Sequence, residues 1–332
     1  MGKPPIAFSC DGAHLDRNVG VQMTDIAILK RDSVPERAAG LRKAIGQRLL
    51  SPGVLIVPLA VFLLLFFFIP AIRLMSFSFM TQDARGVIGS PFTFAHYIRF
   101  FEVDLYRKVL FATIRISVIT SILAAILAYP VATVLVRGNM MLTRIITLII
   151  IAPLAVSVVV RAYGWQLILG NGPTGLLNYV LIKLGIIDSP LSLLFSDAAV
   201  VIGSLHIFFP MMVLPLSSAL GKIDPNIQQA ARTLGAPAWK VFWRVTLPLS
   251  LPGLVAGFTL VFSLASASYV IPALIGGPTS QMLGNMVEQQ VLAVYDWPFG
   301  ATIATILVFI VILINALSMK LLGGRRIKAS AQ

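Results

Sequence analysis

Six stretches of this sequence, about 52–72, 109–136, 143–169, 198–219, 253–275 and 300–322, are long and apolar enough to cross a lipid bilayer as helices. A hydrocarbon layer about 30 Å thick takes roughly 20 helical residues. Six such runs within 332 residues override the pair of soluble domains that length alone would suggest. Charge agrees: only 12% of residues are Asp, Glu, Lys or Arg, and most lie between the runs or at the ends. The expected fold class is all-α, a polytopic membrane bundle of six transmembrane helices. Pro130 in the second run and Pro153 in the third are expected to kink their helices, which a bundle tolerates when neighbours satisfy the freed carbonyls.

The formal charge of +13 does not point to nucleic acid, because the cations flank apolar runs and form no basic stripe on a soluble domain. Cys10, the single cysteine, excludes an internal disulfide framework and a multi-cysteine metal site. Residues 1–50 are polar and do not read as a signal peptide, since the first long apolar run begins only after them. They read as a cytoplasmic tail ending in a basic surface segment, LRKAIGQRLL, or, for the first thirty or so, as a start-codon artefact. The six-span domain is expected over 51–323 and a basic cytoplasmic tail over 324–332. With both termini cytoplasmic, 18 of the 26 Lys and Arg residues fall inside, six fall outside, and Arg115 and Arg161 fall within spans. That bias sets the orientation and puts residues 222–250 in the cytoplasm.

Within that loop, KIDPNIQQAARTLG (222–235) reads as a short capped helix. Asp224 suits the N-cap, Pro225 the first helical position and Gly235 the left-handed stop. Ile227, Ala230, Ala231 and Leu234 recur at helical spacing on one side, and the paired alanines make that side shallow. A second piece, PAWKVFWRV (237–245), puts Trp239, Phe242 and Trp243 on one stripe and Lys240 and Arg244 on another face. Leu247-Pro248 is expected to end it and turn the chain towards the fifth span. Two readings of the loop stand. One lays it on lipid headgroups with Trp and Arg as anchors. The other makes it a docking surface for a soluble partner, which suits the first piece better because alanines bury little area in lipid.

The spacing Gln229-Ala230-Ala231, three residues, Gly235, nine residues, Val245, one residue, Leu247-Pro248 resembles the EAA loop of binding-protein-dependent ABC importer permeases. VRAYGWQLILGNGPTGLLN (160–178), LPLSSALGKIDPN (214–226), LGAPAWKVFWRVTLPLSLPG (234–253), IGGPTSQMLGNMV (275–287) and DWPFGA (296–301) are similar to the spermidine/putrescine type. The similarity covers roughly 52–322. It implies a five-helix core with a peripheral first helix, in a bacterial inner membrane. It also implies that Gln229, Ala230, Ala231, Leu234, Gly235, Trp239, Leu247 and Pro248 dock a coupling helix into a cytoplasmic ATP-binding subunit. Two such subunits, a second homologous permease subunit, a periplasmic solute-binding protein and a small-molecule solute complete the implied assembly. Neither a cofactor, a metal nor a catalytic residue is implied for this chain, and it contains no G-x-x-x-x-G-K-[ST] phosphate loop. The family's usual glutamate is Gln229 here, which keeps hydrogen-bonding capacity and loses the charge.

An ion-coupled secondary carrier and a channel or scaffold subunit without ATP coupling are the competing classes. Against the first, every Asp and Glu maps to a tail, a loop or a span end, Asp197, Glu288 and Asp296 among them. His14, His96 and His206 are too scattered for a metal cluster, and His206 reads as a buried, hydrogen-bonded side chain. For Arg161, about 18 residues along its expected helix, snorkelling to the outer interface stands beside a role at the outer gate. Arg115 lies about eight residues from its span's outer end and is expected to face the bundle or the pathway. Left unpaired, it would sit awkwardly beside a polycation's route. ASASYVIPALIGGP (265–278) supplies small residues for close helix packing, or Ser266, Ser268 and Tyr269 for a translocation pathway. Tyr129, Tyr163, Trp165 and Tyr269 offer aromatic faces to ammonium groups, the cargo chemistry that the polyamine resemblance implies.

Overall fold

The computed structural model describes residues 52–320 apart from Ala84. The expected N-terminal tail with Cys10 and the basic C-terminal tail lie outside the described residues, as do Ser51 and 321–323. The chain divides between Leu65 and Phe66 into two units. Of the first, residues 52–65 are described: helix α1, Pro52–Leu63, enters a wide turn at Leu64–Phe68.

The second unit continues with α2 (Ile69–Phe77), α3 (Ala95–Glu102), α4 (Asp104–Arg137), α5 (Met140–Ile151), α6 (Val158–Ile168), α7 (Leu176–Lys183) and α8 (Asp197–Gly221). It closes with α9 (Pro225–Thr233), α10 (Ala238–Ala267), α11 (Leu283–Glu288) and α12 (Trp297–Ser318). Strands β1 (Thr81–Gln82) and β2 (Ile88–Gly89) form one antiparallel pair with Thr81 opposite Gly89. Gln82 ties that hairpin to the start of α12, donating to Tyr295 O at 3.0 Å and accepting from the Trp297 N–H at 3.1 Å. Among the described residues, five helices are long and apolar enough to cross a membrane, or six when the bent pair 140–155 and 158–168 counts as one span. The all-α membrane bundle is therefore as expected.

The centre of the bundle is the packing of α4, α8 and α10 on one another. Ala124, Ala128 and Ala132 recur every fourth residue along α4 and are fully buried beside Met212, Val213, Leu216 and Val261. Small side chains at that spacing let helix backbones approach where lipid gives no hydrophobic drive for association. A second cluster, Ile116, Val200, Ile207, Ile271, Ile275 and Met282, closes the other half of the bundle. Phe100, Tyr106, Phe299 and Ile303 form a third, with the Tyr106 and Phe299 rings edge to face at 4.9 Å.

Two spans differ from expectation. The third, expected as one kinked helix over 143–169, is broken: α5 passes into a tight turn at Ala152–Ala155, and α6 restarts bent by 107°. Pro153 lacks the N–H that would continue the ladder, and Ser157 caps the new helix by accepting from Val159 N–H at 3.3 Å. The fifth, expected over 253–275, starts earlier and ends sooner. Its helix is continuous from Ala238, so Leu247-Pro248 does not end the second loop piece. A wide turn over Phe242–Thr246, with Leu247 N–H bonded to Phe242 O, absorbs the proline that follows. The helix then stops at Ala267, and residues 268–293 run as short turns and helices rather than as a span. Asn285 donates to the carbonyl of Tyr269 at 2.8 Å, which also accepts from Ala273 N–H at 3.0 Å, and so ties α11 to the turn that follows the break.

Asn178 holds the corresponding segment after α6. Only 2% exposed, it donates to Gly170 O (3.1 Å), Gly172 O (3.1 Å) and Leu191 O (2.9 Å), and accepts from Leu191 N–H (2.9 Å). Replacing it with alanine is expected to cost about 1–3 kcal/mol for each freed group that water does not reach. Hydrogen exchange checks this: protection should fall across 170–194 while α8 keeps its own.

Candidate functional site

The segment 222–235 takes its expected capped form. The Asp224 carboxylate accepts from Asn226 N–H at 2.9 Å, Pro225 opens α9, and Gly235 adopts φ +82°. Its apolar side is displayed: Leu234 is 88% exposed, Ile227 and Ala230 are exposed, and Ala231 is half-buried. Trp239 and Trp243 project from the first turns of α10, at 63% and 61% exposure, while Phe242 turns inward to meet the edge of Tyr129 at 4.9 Å. Leu247 and Pro248 are half-buried in the body of α10, apart from that displayed face.

What fastens α9 to the bundle was not legible in the sequence. Gln228, not Gln229, is the buried residue. Its Oε1 accepts from Arg137 at the end of α4 at 2.6 Å, and its Nε2 donates to Thr246 in α10 at 3.1 Å. One side chain thus joins three helices. Two glutamines in succession carry equal signals; only the phase of α9 against α4 decides which one turns in. Gln229 is exposed beside Arg137 and Arg232.

The eight residues considered for a pathway do not form one group. Tyr129 hydrogen-bonds Ser250 at 2.8 Å in the half of the bundle that carries α9. Ser266 lies on the same helix as Ser250 but roughly 24 Å further along it. Ser266 is buried, Ser268 half-buried and Tyr269 49% exposed at the break after α10. Tyr163 is exposed; Trp165 donates to His206 Nδ1 at 3.1 Å. His206 is therefore hydrogen-bonded as expected, but exposed rather than buried.

Each of the two arginines loses one of its two expected settings. The 107° break removes the straight helix on which snorkelling of Arg161 depended. Its guanidinium instead reaches the carbonyl of Ile207 at 3.4 Å. Arg115, expected to face the bundle or the pathway, has a side chain that is 62% exposed and paired with Asp197 at the start of α8, which removes the first alternative only. Pairing cancels most of the field of an isolated cation, so Arg115 no longer argues against a cationic cargo. Glu288, not among the residues considered for a pathway, lines a largely apolar groove of about 480 Å³ with Tyr269, Trp297 and Gly284. Read as a loop residue, it carried no signal of this neighbourhood until the turn after α10 was known.

Residues 117–327 match the family described as binding-protein-dependent transport system inner membrane component. The chain is 34% identical over 276 residues to the spermidine/putrescine transport system permease protein PotB of Salmonella typhimurium strain SL1344, covering 82% of this chain and 95% of that one. It is 32% identical to PotB of Haemophilus influenzae, covering 79% and 92%. Among solved structures, a bacterial ABC transporter involved in the import of the acidic polysaccharide alginate superposes with a TM-score of 0.67 at 17% identity, covering 86% of this chain and 99% of that one. The fold is shared, and with a family match over most of the bundle this multi-pass inner-membrane chain belongs to the binding-protein-dependent transport system inner membrane components.

Proposed function

We propose that this chain is one of two homologous permease subunits of an ATP-driven importer of polyamines, receiving cargo from a periplasmic binding protein. Both termini and α9 face the cytoplasm, and two separate ATP-binding subunits dock there through Ala230, Ala231, Leu234, Gly235 and Trp239. Gln229 borders that surface, and Leu247 and Pro248 support it from within α10. One observation carries this reading. Leu234 at the end of α9 is 88% exposed, while the same helix is bonded through Gln228 to α4 and α10. A displayed apolar surface joined firmly to two spans is what force transfer from a soluble motor requires, since a ligand shifts a conformational equilibrium only through differential contact with the two states.

The polyamine assignment rests on the identity to PotB and on chemistry. Glu288 beside Tyr269 combines a carboxylate with a ring face, both attractive to an ammonium group. Purification of the assembly from membranes tests the whole. ATP-binding subunits should copurify, with hydrolysis that rises when spermidine-loaded binding protein is added and not when the empty protein is. Uptake into vesicles lacking ATP and driven by an ion gradient alone would overturn it.

A further inference from the structure

Between the end of α4 and α9 lies a polar pocket of about 240 Å³ lined by Arg137, Pro225, Gln228, Gln229 and Arg232. The four α9 residues stand at i, i+3, i+4 and i+7, one face of the helix, next to the displayed Ile227 and Ala230 face. Among the described residues, two guanidinium groups line this pocket and no carboxylate does. Neither arginine forms an ion pair with a described residue. The only acidic residue between 137 and 250 on this side of the bundle, Asp224, is engaged as the cap of α9. Arg137 spends one N–H on Gln228 Oε1, which fixes the guanidinium plane, and a guanidinium carries five such donors in a fork that matches a carboxylate.

We propose that this pocket receives an Asp or Glu side chain from the docked ATP-binding subunit, which pairs with Arg137 and Arg232. The inference rests on the docking proposed above and specifies its polarity. Residue 229 determines whether the site is open. A glutamate there would stand three residues before Arg232 on the same face and beside Arg137, supplying internally the charge the pocket lacks. Glutamine leaves both cations free for a partner's acid. The occupant is a protein carboxylate rather than a lipid phosphate because the pocket is continuous with the exposed docking face of α9.

The test uses the full transporter in nanodiscs of neutral phosphatidylcholine and measures binding of its own ATP-binding subunit at ~50 and ~500 mM salt, on either side of effective screening. Wild-type binding should weaken with salt. Arg232→Gln should weaken it by about five- to tenfold at low salt and flatten the salt dependence, and Arg232→Lys should recover part of the loss. Gln229→Glu, although it restores the family's usual residue, should act like Arg232→Gln. Gln229→Glu binding as tightly as wild type, or more tightly, would overturn the proposal. So would salt-independent wild-type binding, or a defect in Arg232→Gln that appears only with anionic lipid present, which would make the occupant a headgroup. Failure of the docking itself reads differently: the wild-type chain would then not bind the subunit at all.

Discussion

Gly253→Val is expected to leave no stably folded permease. A Cβ at Gly253 would lie 2.4 Å from Ala219 Cβ and 2.6 Å from the carbonyl oxygen of Pro215. One turn on, a Cβ at Gly257 would meet Met212 Sδ at 2.6 Å and its carbonyl at 3.1 Å. Two successive turns of α10 therefore lie against the backbone of α8, and the obstructing atoms are mostly backbone, which cannot swing aside. Even alanine forces the helices apart; valine adds two further carbons in the same gap. Overpacking of this kind costs about 3 kcal/mol or more and, at the most extensive helix contact in the molecule, is expected to abolish a cooperative thermal transition in detergent. Gly253→Ala should give an intermediate melting temperature. Equal stability of all three proteins would show that α8 and α10 do not approach as described.

The second large effect concerns coupling and should leave the fold untouched. Ala231→Glu puts an ionised carboxylate on the shallow side of α9, the surface proposed above to meet the ATP-binding subunit. Burying that charge without a counter-ion costs about 3–5 kcal/mol, so association with the ATP-binding subunit should fall by at least about a hundredfold. Import should fall with it. Because Ala231 is only half-buried and its neighbours Ala230, Arg232 and Leu234 are exposed, the added carboxylate can reach water in the undocked chain, and the variant should insert and melt like wild type, which separates lost docking from lost folding. Ala231→Ser, nearly the same size and uncharged, should retain transport. Normal import by Ala231→Glu would remove α9 from the docking surface.

Local chemistry was legible in the sequence, and contacts between distant segments were not. Apolar runs located the spans, and Asp224, Pro225 and Gly235 bounded α9 because capping and left-handed turns depend on local residue chemistry. The breaks at 156–157 and after Ala267 escaped because each lies inside an apolar run. Val156 and Ile271 are as hydrophobic as their helical neighbours, and hydropathy does not separate a span from a turn buried among helices. Pro153 signalled a bend without its size. The partners of Arg115, Gln228 and Glu288 depend on distant segments, so no spacing within one helix encodes them. The approach of Gly253 and Gly257 to α8 belongs to the same class.

The uninterrupted course of α10 from the displayed tryptophans to Ala267 has a mechanical consequence. Thirty residues of continuous helix form a rod roughly 45 Å long, so pivoting it by about 10° displaces one tip by about 8 Å relative to the other. Its distal tip is Ala267, beside Ser268, Tyr269 and the Glu288 groove. A push delivered to Trp239 and Trp243 would thus reach that far tip through the leverage of the rod itself, without any relay of intermediate side chains.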